Sequence, residues 1–317
     1  AAWYAAAVLQ IVVGHHYAGH SLRLTWPWRL CRAGSFGRQV AGINVLNWAV
    51  DNSSGVFVGA MGAHALGSFN AASMLGRQPA LQLAQMLQVL LFSAASVMDH
   101  SAARVRQLYL TALTAVALAV GPIYGVFFSH ADLLTVLMFG PQWTQAAKAL
   151  AAMCPGMAAM ALSMVTSSIL TAKSGQASVI RSQVLLLLLL LGGLAWASTK
   201  SVEMVAWVLS MGYSFRLAYQ LVSVVRSRAV SWHDIGVALR GPAALALLMA
   251  LPVAGWIDPA RGHSAHALAL AVQLAVACAL LYLLPRFFLA PECIDLLARN
   301  ALGRKLLAAL RIARPIF

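Results

Sequence analysis

Long apolar runs constrain the fold of this chain more than any other feature. The stretch from Val184 to Ala197 is almost uniformly apolar, and mostly apolar blocks of about 20 residues or more recur along the sequence. A helix needs about 20 such residues to cross the ~30 Å hydrocarbon core of a bilayer. The pattern therefore predicts an all-α fold, a polytopic transmembrane helical bundle. The run from Leu185 to Leu191 is expected to face lipid.

Composition supports the same fold class. Hydrophobic residues make up 61% of the 317 residues and charged residues only 9%, and the mean hydropathy is +0.79. An average soluble domain has about 25% charged residues, and a disordered chain combines low hydrophobicity with high charge. These values exclude an ordinary soluble enzyme and a disordered protein.

Apolar blocks between charged and turn-forming clusters predict about nine membrane segments. The first is too short to span a bilayer alone, so we interpret it as the end of a helix whose beginning is absent. After the last segment, leucines alternate with arginines and lysines over 291–317, which predicts an interfacial amphipathic helix. The segments are roughly 1–14, 37–62, 65–95, 106–129, 145–172, 177–198, 203–225, 236–257 and 265–289.

Basic residues give the chain a net charge of +14. In a soluble protein this excess would suggest nucleic acid as a partner. Here most of it lies on one side of the predicted segments, as the positive-inside rule describes for cytoplasmic loops. We therefore expect no nucleic-acid partner and a cytoplasmic C-terminus. The cytoplasmic side receives seventeen basic residues and the other side receives Lys148, Lys200 and Arg261, while Arg77 and Arg216 lie inside segments.

The second segment carries a stripe of polar residues. Polar groups are costly in a bilayer and should face protein or water. Asn44, Asn47 and Asp51 follow one another at steps of three and four, and Ser54 comes three residues later, so all four share a helical face. Asp51 could have an ion-coupling role or contact a substrate. It could instead bond a neighbouring helix or lie in water at the outer end of the segment.

The third and seventh segments carry further polar stripes, each with an embedded arginine. Arg77 is the candidate for holding an anion, because a guanidinium stays charged and pairs bidentately with phosphate. The alternative is an arginine that snorkels to the interface or pairs structurally. Pro79 is expected to kink this helix. The candidate substrate-binding residues are Arg77, Arg216, Asn44, Asn47, Asn70, Gln85 and Gln88, with Gln220 and Ser223 beside Arg216.

Catalytic and metal-binding patterns are not apparent. The sequence has no HExxH, GxSxG, Walker A or paired-carboxylate motif, and its four cysteines lie far apart. His16 and His20 have metal-ligand spacing but no acidic partner. We therefore expect neither an enzyme nor a resident metal or cofactor.

Four elements together resemble a known transporter family. They are DNSSGVFVGAMGAHALGSFNAA at 51–72, VLLFSAAS at 89–96, VLMFGPQWTQA at 136–146 and LTAKSGQ at 170–176. Their order and spacing resemble bacterial polysaccharide exporters, the O-antigen (Wzx-like) and exopolysaccharide flippases of the MOP superfamily. Ser68-Phe69 and the proline-free stretch 93–96 depart from that pattern. Beyond residue 180 only the hydropathy is similar.

The resemblance implies a two-lobed helical transporter of the bacterial inner membrane that flips undecaprenyl-pyrophosphate-linked oligosaccharide units to the outer leaflet. An anionic, polar substrate of this kind requires a water-filled cleft lined by cations, amides and hydroxyls. It implies an N-terminally truncated chain, with the end of the first lobe and a basic linker at 1–35, the second lobe at 36–290 and a cytoplasmic tail at 291–317. The expected partners are the lipid-linked oligosaccharide, membrane lipids and a polysaccharide polymerase or chain-length regulator. The alternatives are a lipid II flippase, a multidrug exporter, a membrane glycosyltransferase or polymerase, and a non-transporting partner of a synthesis complex.

Overall fold

The structure is a computed structural model that describes residues 34–97, 102–172, 176–228, 230–251, 268, 270–277 and 279. All regular structure in these residues is helical, which confirms the all-α prediction. The chain divides into two units after Gly42, and the contacts described below lie in the larger unit, from Ile43 onward. The helices are α1 Gly34–Ala60, α2 Ala63–Val97, α3 Ala102–Ser129, α4 Ala131–Phe139, α5 Thr144–Ala172, α6 Gln176–Ala197, α7 Val202–Arg226 and α8 Trp232–Ala250, with a 3-10 turn at Pro141–Trp143.

Seven predicted segments coincide with α1–α3 and α5–α8, most with ends that differ by a few residues. The short α4 lies in a stretch predicted as an outer loop. The predicted segment 1–14 and the tail 291–317 lie outside the described residues, and 265–289 is described only in part, where it is helical.

Three helical stretches of the described part are long and apolar enough to cross a membrane, Ala103–Ser129, Pro141–Thr171 and Ala177–Ala197. The predicted count of about nine spans is therefore not confirmed. Polar side chains interrupt the apolar runs of α1, α2 and α7, the helices that carry the predicted polar stripes.

Helix α5 lies at the centre of the packing. It contacts α2, α3, α6 and α7, while α8 packs mainly on α3. Its sequence is rich in alanine and methionine, and Leu150, Met153 and Met157 are almost fully buried. Small residues allow close approach, since a Cβ on Gly156 would overlap the backbone of Ser210 in α7. The centre of the bundle is thus a tight contact between α5 and α7.

Two of the prolines inside helices lie beside hydroxyl groups from neighbouring helices. A proline has no N–H, so the carbonyl four residues before it has no helical donor. Pro242 in α8 leaves the Ala238 carbonyl in this state, and Thr114 of α3 donates to it at 3.3 Å. Next to Pro155 in α5, the Ser210 hydroxyl accepts from the Gly156 N–H at 3.2 Å and donates to the Ala152 carbonyl. These bonds replace or support helical bonds weakened by the prolines.

The leucine run of α6 does not face lipid throughout, which corrects the expectation from the sequence. Leu186 and Leu190 are fully buried against α7, where Gly212 leaves room for both side chains. Leu188 is 61% exposed. The run thus has one face packed on α7 and one exposed face, because residues four apart share a side of a helix.

Candidate functional site

An ion pair joins α1 and α2. The Arg77 guanidinium donates through Nη2 to Oδ1 of Asp51. The Asp51 side chain is 47% exposed and that of Arg77 25% exposed, while the Nε of Arg77 is buried and has no hydrogen-bond partner in the described part of the chain. The two residues predicted separately as an ion-coupling group and an anion-binding group are therefore partners. Arg77 keeps donor capacity beyond this pair, since a guanidinium has five N–H groups.

A second group lies on one face of α7. Tyr213, Arg216 and Gln220 follow at steps of three and four, and all three are buried. In the orientation that satisfies both ends of its amide, Gln220 donates to the Ser163 carbonyl at 2.9 Å and accepts from the Arg216 Nε at 3.3 Å. Among the described residues no carboxylate pairs with Arg216. The positive charge of Arg216 is therefore buried, and its hydrogen-bond partner is the neutral amide of Gln220.

Tyr213 connects the two groups. Tyr213 lines one small pocket together with Asp51 and Arg77. Arg216 follows Tyr213 three residues later on the same face of α7, and it interacts electrostatically with both Tyr213 and Asp51. One carboxylate and two guanidinium groups therefore share the region around Tyr213, with a net charge of +1. Tyr213 was missed, although its spacing from Arg216 places it on the same face.

A small pocket lies between the two groups. Its volume is about 10 Å³, which is the least space that holds one water molecule. The sequence suggested a water-filled cleft, but a pocket of this size admits no sugar or pyrophosphate. The polar part of its lining is Asp51, Ser54, Ser73, Arg77 and Tyr213.

The turn of α2 that carries Arg77 is held by α3. Pro79 lies two residues after Arg77, inside a helix that continues through it. The Tyr124 hydroxyl donates to the Gly76 carbonyl at 2.7 Å and accepts from the Ala80 N–H at 3.0 Å. Gly76 and Ala80 are the two residues that regular helical bonding would join. Tyr124 therefore supports the turn that the proline weakens, and Arg77 lies within that turn.

The other predicted site residues are less closely associated with the pocket. Asn44 and Asn70 are exposed and Asn47 is partly buried. None of these three lines the pocket. The side chains of Gln85 and Gln88 lie outside the described residues. The described part of the site thus centres on Asp51, Arg77, Tyr213, Arg216 and Gln220.

The chemistry available to this cluster is mainly hydrogen-bond donation. Guanidinium and hydroxyl groups bind anions and sugar hydroxyls, and they are poor metal ligands. Within the described ranges no three His, Cys, Asp or Glu residues come together. The described groups fit an anionic, polar ligand.

A second ion pair fastens α3 to the start of α8. Arg106 donates through Nε at 3.0 Å and through Nη2 at 2.7 Å to the two carboxylate oxygens of Asp234. Asp234 also accepts from the Ser231 N–H, and the Ser231 hydroxyl accepts from the Asp234 N–H, which forms a capping box. The bonds from Arg106, followed by that from Ser231, hold the pKa of Asp234 well below its ordinary value. This pair is structural and lies apart from the pocket.

In the described residues, the helical fold and the apolar helices indicate a membrane protein, and the site is a partly buried cationic cluster. Residues 2–148, slightly less than half of the chain, match a family described as "Polysaccharide biosynthesis protein". The matched part contains Asp51 and Arg77 but ends before Tyr213 and Arg216. No curated protein and no solved structure is significantly similar to the chain.

Proposed function

We propose that this chain belongs to a bacterial inner-membrane transporter that flips undecaprenyl-pyrophosphate-linked oligosaccharide units for polysaccharide export. One observation carries the proposal. Arg77 of α2 shares a pocket with Tyr213 of α7, and Arg216 lies three residues after Tyr213 on the same buried face of α7, in a chain whose first half matches a polysaccharide biosynthesis family. A pyrophosphate is the part of such a substrate that two guanidinium groups recognise.

Charge favours an anionic ligand over a cationic one. A buried charge without a counter-charge is costly, and a bound anion removes that cost. Arg216 is 8% exposed and its described partner is the neutral Gln220. A multidrug exporter for cations needs the opposite balance, with carboxylates in excess. An anionic headgroup therefore fits this cluster better.

Substrate entry requires that the pocket opens. The space of about 10 Å³ holds a water molecule, so the headgroup binds in another conformation, with α1 and α2 moved away from α7. Alternating access by rocking of helical bundles supplies such a motion. In the opened state Asp51 releases Arg77 to the anion, and the freed carboxylate is then the group that takes up a coupling proton or sodium ion.

The remaining parts of the proposal follow from the resemblance and from the distribution of basic residues. The C-terminus lies in the cytoplasm, where most basic residues are expected. A polysaccharide polymerase or a chain-length regulator is the expected protein partner, because flipped units are assembled into a polymer on the outer side. The chain acts as a transporter and not as an enzyme.

Complementation tests the proposal. The full-length reading frame and its Arg77→Ala form are expressed at matched levels in a strain that lacks its own flippase, and surface polysaccharide is measured. Arg104→Ala is the control, because Arg104 is an exposed arginine outside the pocket. We expect export with the parent and with Arg104→Ala, and a loss of at least tenfold with Arg77→Ala.

Three results oppose the proposal, in whole or in part. Wild-type export by Arg77→Ala excludes a role for this guanidinium in binding the headgroup. Absence of export by every form, while the protein is inserted and recovered with synthesis proteins, favours the non-transporting partner. Rescue of peptidoglycan precursor export in place of surface polysaccharide favours the lipid II alternative.

A further inference from the structure

The turn Gly76–Ala80 of α2, which carries Arg77, has two features that the proposed function does not use. Pro79 removes one backbone donor from the turn. The Tyr124 hydroxyl bonds to both Gly76 and Ala80, and Arg77 projects from the same turn. Tyr124 is itself 3% exposed. A single buried hydroxyl is therefore bonded to the backbone on both sides of the guanidinium-bearing residue.

We propose that Tyr124 is a positioning residue for Arg77, and that its hydroxyl fixes the proline-weakened turn of α2. The effect of Tyr124 on export rests on the proposed function, whereas its effect on the turn does not. Because Pro79 leaves the Leu75 carbonyl without its helical donor, this turn has fewer internal bonds than its neighbours. The hydroxyl supplies two bonds from another helix at that point.

The support for Tyr124 is itself rigid. The tyrosine ring packs edge-on against Phe127, with ring centroids 6.0 Å apart. One residue further along, a Cβ on Gly125 would overlap Met249 and the Ala246 carbonyl of α8, so α3 and α8 are in close contact there. Tyr124 therefore projects from a helix that has little freedom to shift. A displacement of the Gly76–Ala80 turn has to break the bonds to its hydroxyl.

The hydrogen bonds of Tyr124 and Thr114 stabilise different helices, and only those of Tyr124 reach the turn that carries Arg77. Thr114 lies on the same helix and donates to a carbonyl that Pro242 leaves free, but its partner helix is α8, which does not line the pocket. Loss of either hydroxyl removes a buried hydrogen bond at a proline turn. Only the loss of the Tyr124 hydroxyl releases the turn that carries Arg77. Thr114→Val is therefore the matched control.

The experiment measures the turn directly. Nitroxide labels are placed at Met74 and Gln82, two exposed positions of α2 on either side of the turn, in full-length protein without native cysteines. Eight residues of helix separate them by about 12 Å, which is within the range of continuous-wave EPR. Spectra are compared for the parent, Tyr124→Phe, Pro79→Ala, Tyr124→Phe/Pro79→Ala and Thr114→Val, and export is measured for the same set.

We expect Tyr124→Phe to broaden the distance distribution between the labels and to lower export severalfold. Pro79→Ala restores the missing donor, so the double variant should return to a narrow distribution and recover export. Thr114→Val should leave both unchanged. An unaltered distribution in Tyr124→Phe overturns the proposal, and so does broadening that Pro79→Ala does not correct.

The EPR result is independent of the transported substrate. If Arg77→Ala exports normally, the proposed role of Arg77 in binding the headgroup fails, while the distances still decide whether Tyr124 holds the turn. If Tyr124→Phe broadens the distribution and export does not change, its role in positioning Arg77 for export is overturned.

Discussion

Arg77 of α2 is ion-paired with Asp51 of α1, the one acidic residue that the sequence places well inside a predicted membrane segment. Both side chains are partly exposed. Exposed pairs contribute about 0–1 kcal/mol to stability. The pair is therefore a weak fastening between two helices, and a strong competing anion is able to replace Asp51 as the partner of Arg77.

Exchanging the two charged residues tests whether export depends on the ion pair itself or on the helix that carries the guanidinium group. We expect Asp51→Arg and Arg77→Asp each to lower thermal stability, because like charges then face each other across α1 and α2. The double variant restores an ion pair and should recover most of that stability. Export should stay low in the double variant, because the guanidinium then projects from α1 instead of α2. Thermal unfolding by fluorescence-detected size exclusion and the complementation assay measure the two properties.

Full export by the double variant would contradict this prediction, since it would show that the pair matters and the location of the cation does not.

Arg216 is expected to contribute to export and little to stability. Its guanidinium is buried and is bonded to the neutral Gln220. Replacement of a buried charge by an apolar side chain of similar volume is often neutral or stabilising. We expect Arg216→Met to keep or raise the thermal stability and to lower export at least tenfold. A marked loss of stability would indicate that Arg216 is mainly structural.

Gln220→Ala is the companion variant. It removes the bond to the Ser163 carbonyl and the acceptor for Arg216, and a lost buried hydrogen bond costs about 1–3 kcal/mol. We therefore expect the Gln220→Ala protein to be less stable than the Arg216→Met protein.

The polar stripes could be predicted from the sequence, because the helical spacing of polar residues alone determines which of them share a face. Arg216 and Gln220 are four residues apart, and in an apolar segment this spacing predicts a shared face. Which stripes meet depends on helix packing, so the pairing of Asp51 with Arg77 and the involvement of Tyr213 needed the structure. The size of the pocket also depends on packing, and the expected cleft became a space of about 10 Å³.

The leucine run of α6 shows the limit of periodicity. A run of one residue type has no polar face, so the sequence does not distinguish Leu186, which is buried, from Leu188, which is exposed. The side that packs is set by Gly212 on another helix. Close contacts between small residues and bonds from neighbouring hydroxyls leave little trace in the pattern of a single segment.

The lowered pKa of Asp234 predicts how the stability of the protein changes with pH. Its pKa is lowered in the folded protein by Arg106 and Ser231 from an ordinary value of 3.8. A lowered pKa contributes stability that is fully present above that ordinary value and is lost as pH falls towards the folded value. We expect Asp234→Asn to be less stable than the parent by about 1–2 kcal/mol at pH 7 and at pH 5. The difference should shrink below about pH 4.

Thermal unfolding of the purified protein at pH 7, 5 and 3.5 measures this difference. Glu203→Gln is the control, because Glu203 is an exposed carboxylate in the first turn of α7 with which no described residue forms an ion pair. A difference for Asp234→Asn that shrinks already between pH 7 and pH 5 would contradict the assignment.

Close packing of α5 on α7 predicts that Gly156 tolerates no side chain. A Cβ there would overlap the Cα of Ser210, and that atom belongs to a helix backbone and has no rotamer to change. The two helices would have to separate, and overpacking of this kind typically costs about 1–3 kcal/mol. Gly192 of α6 is the matched control, because a Cβ there meets nothing within 4 Å. Alanine favours a helix over glycine by about 1 kcal/mol. We therefore expect Gly156→Ala to lower the unfolding temperature and Gly192→Ala to keep or raise it. Equal effects of the two substitutions would refute the tight contact between α5 and α7.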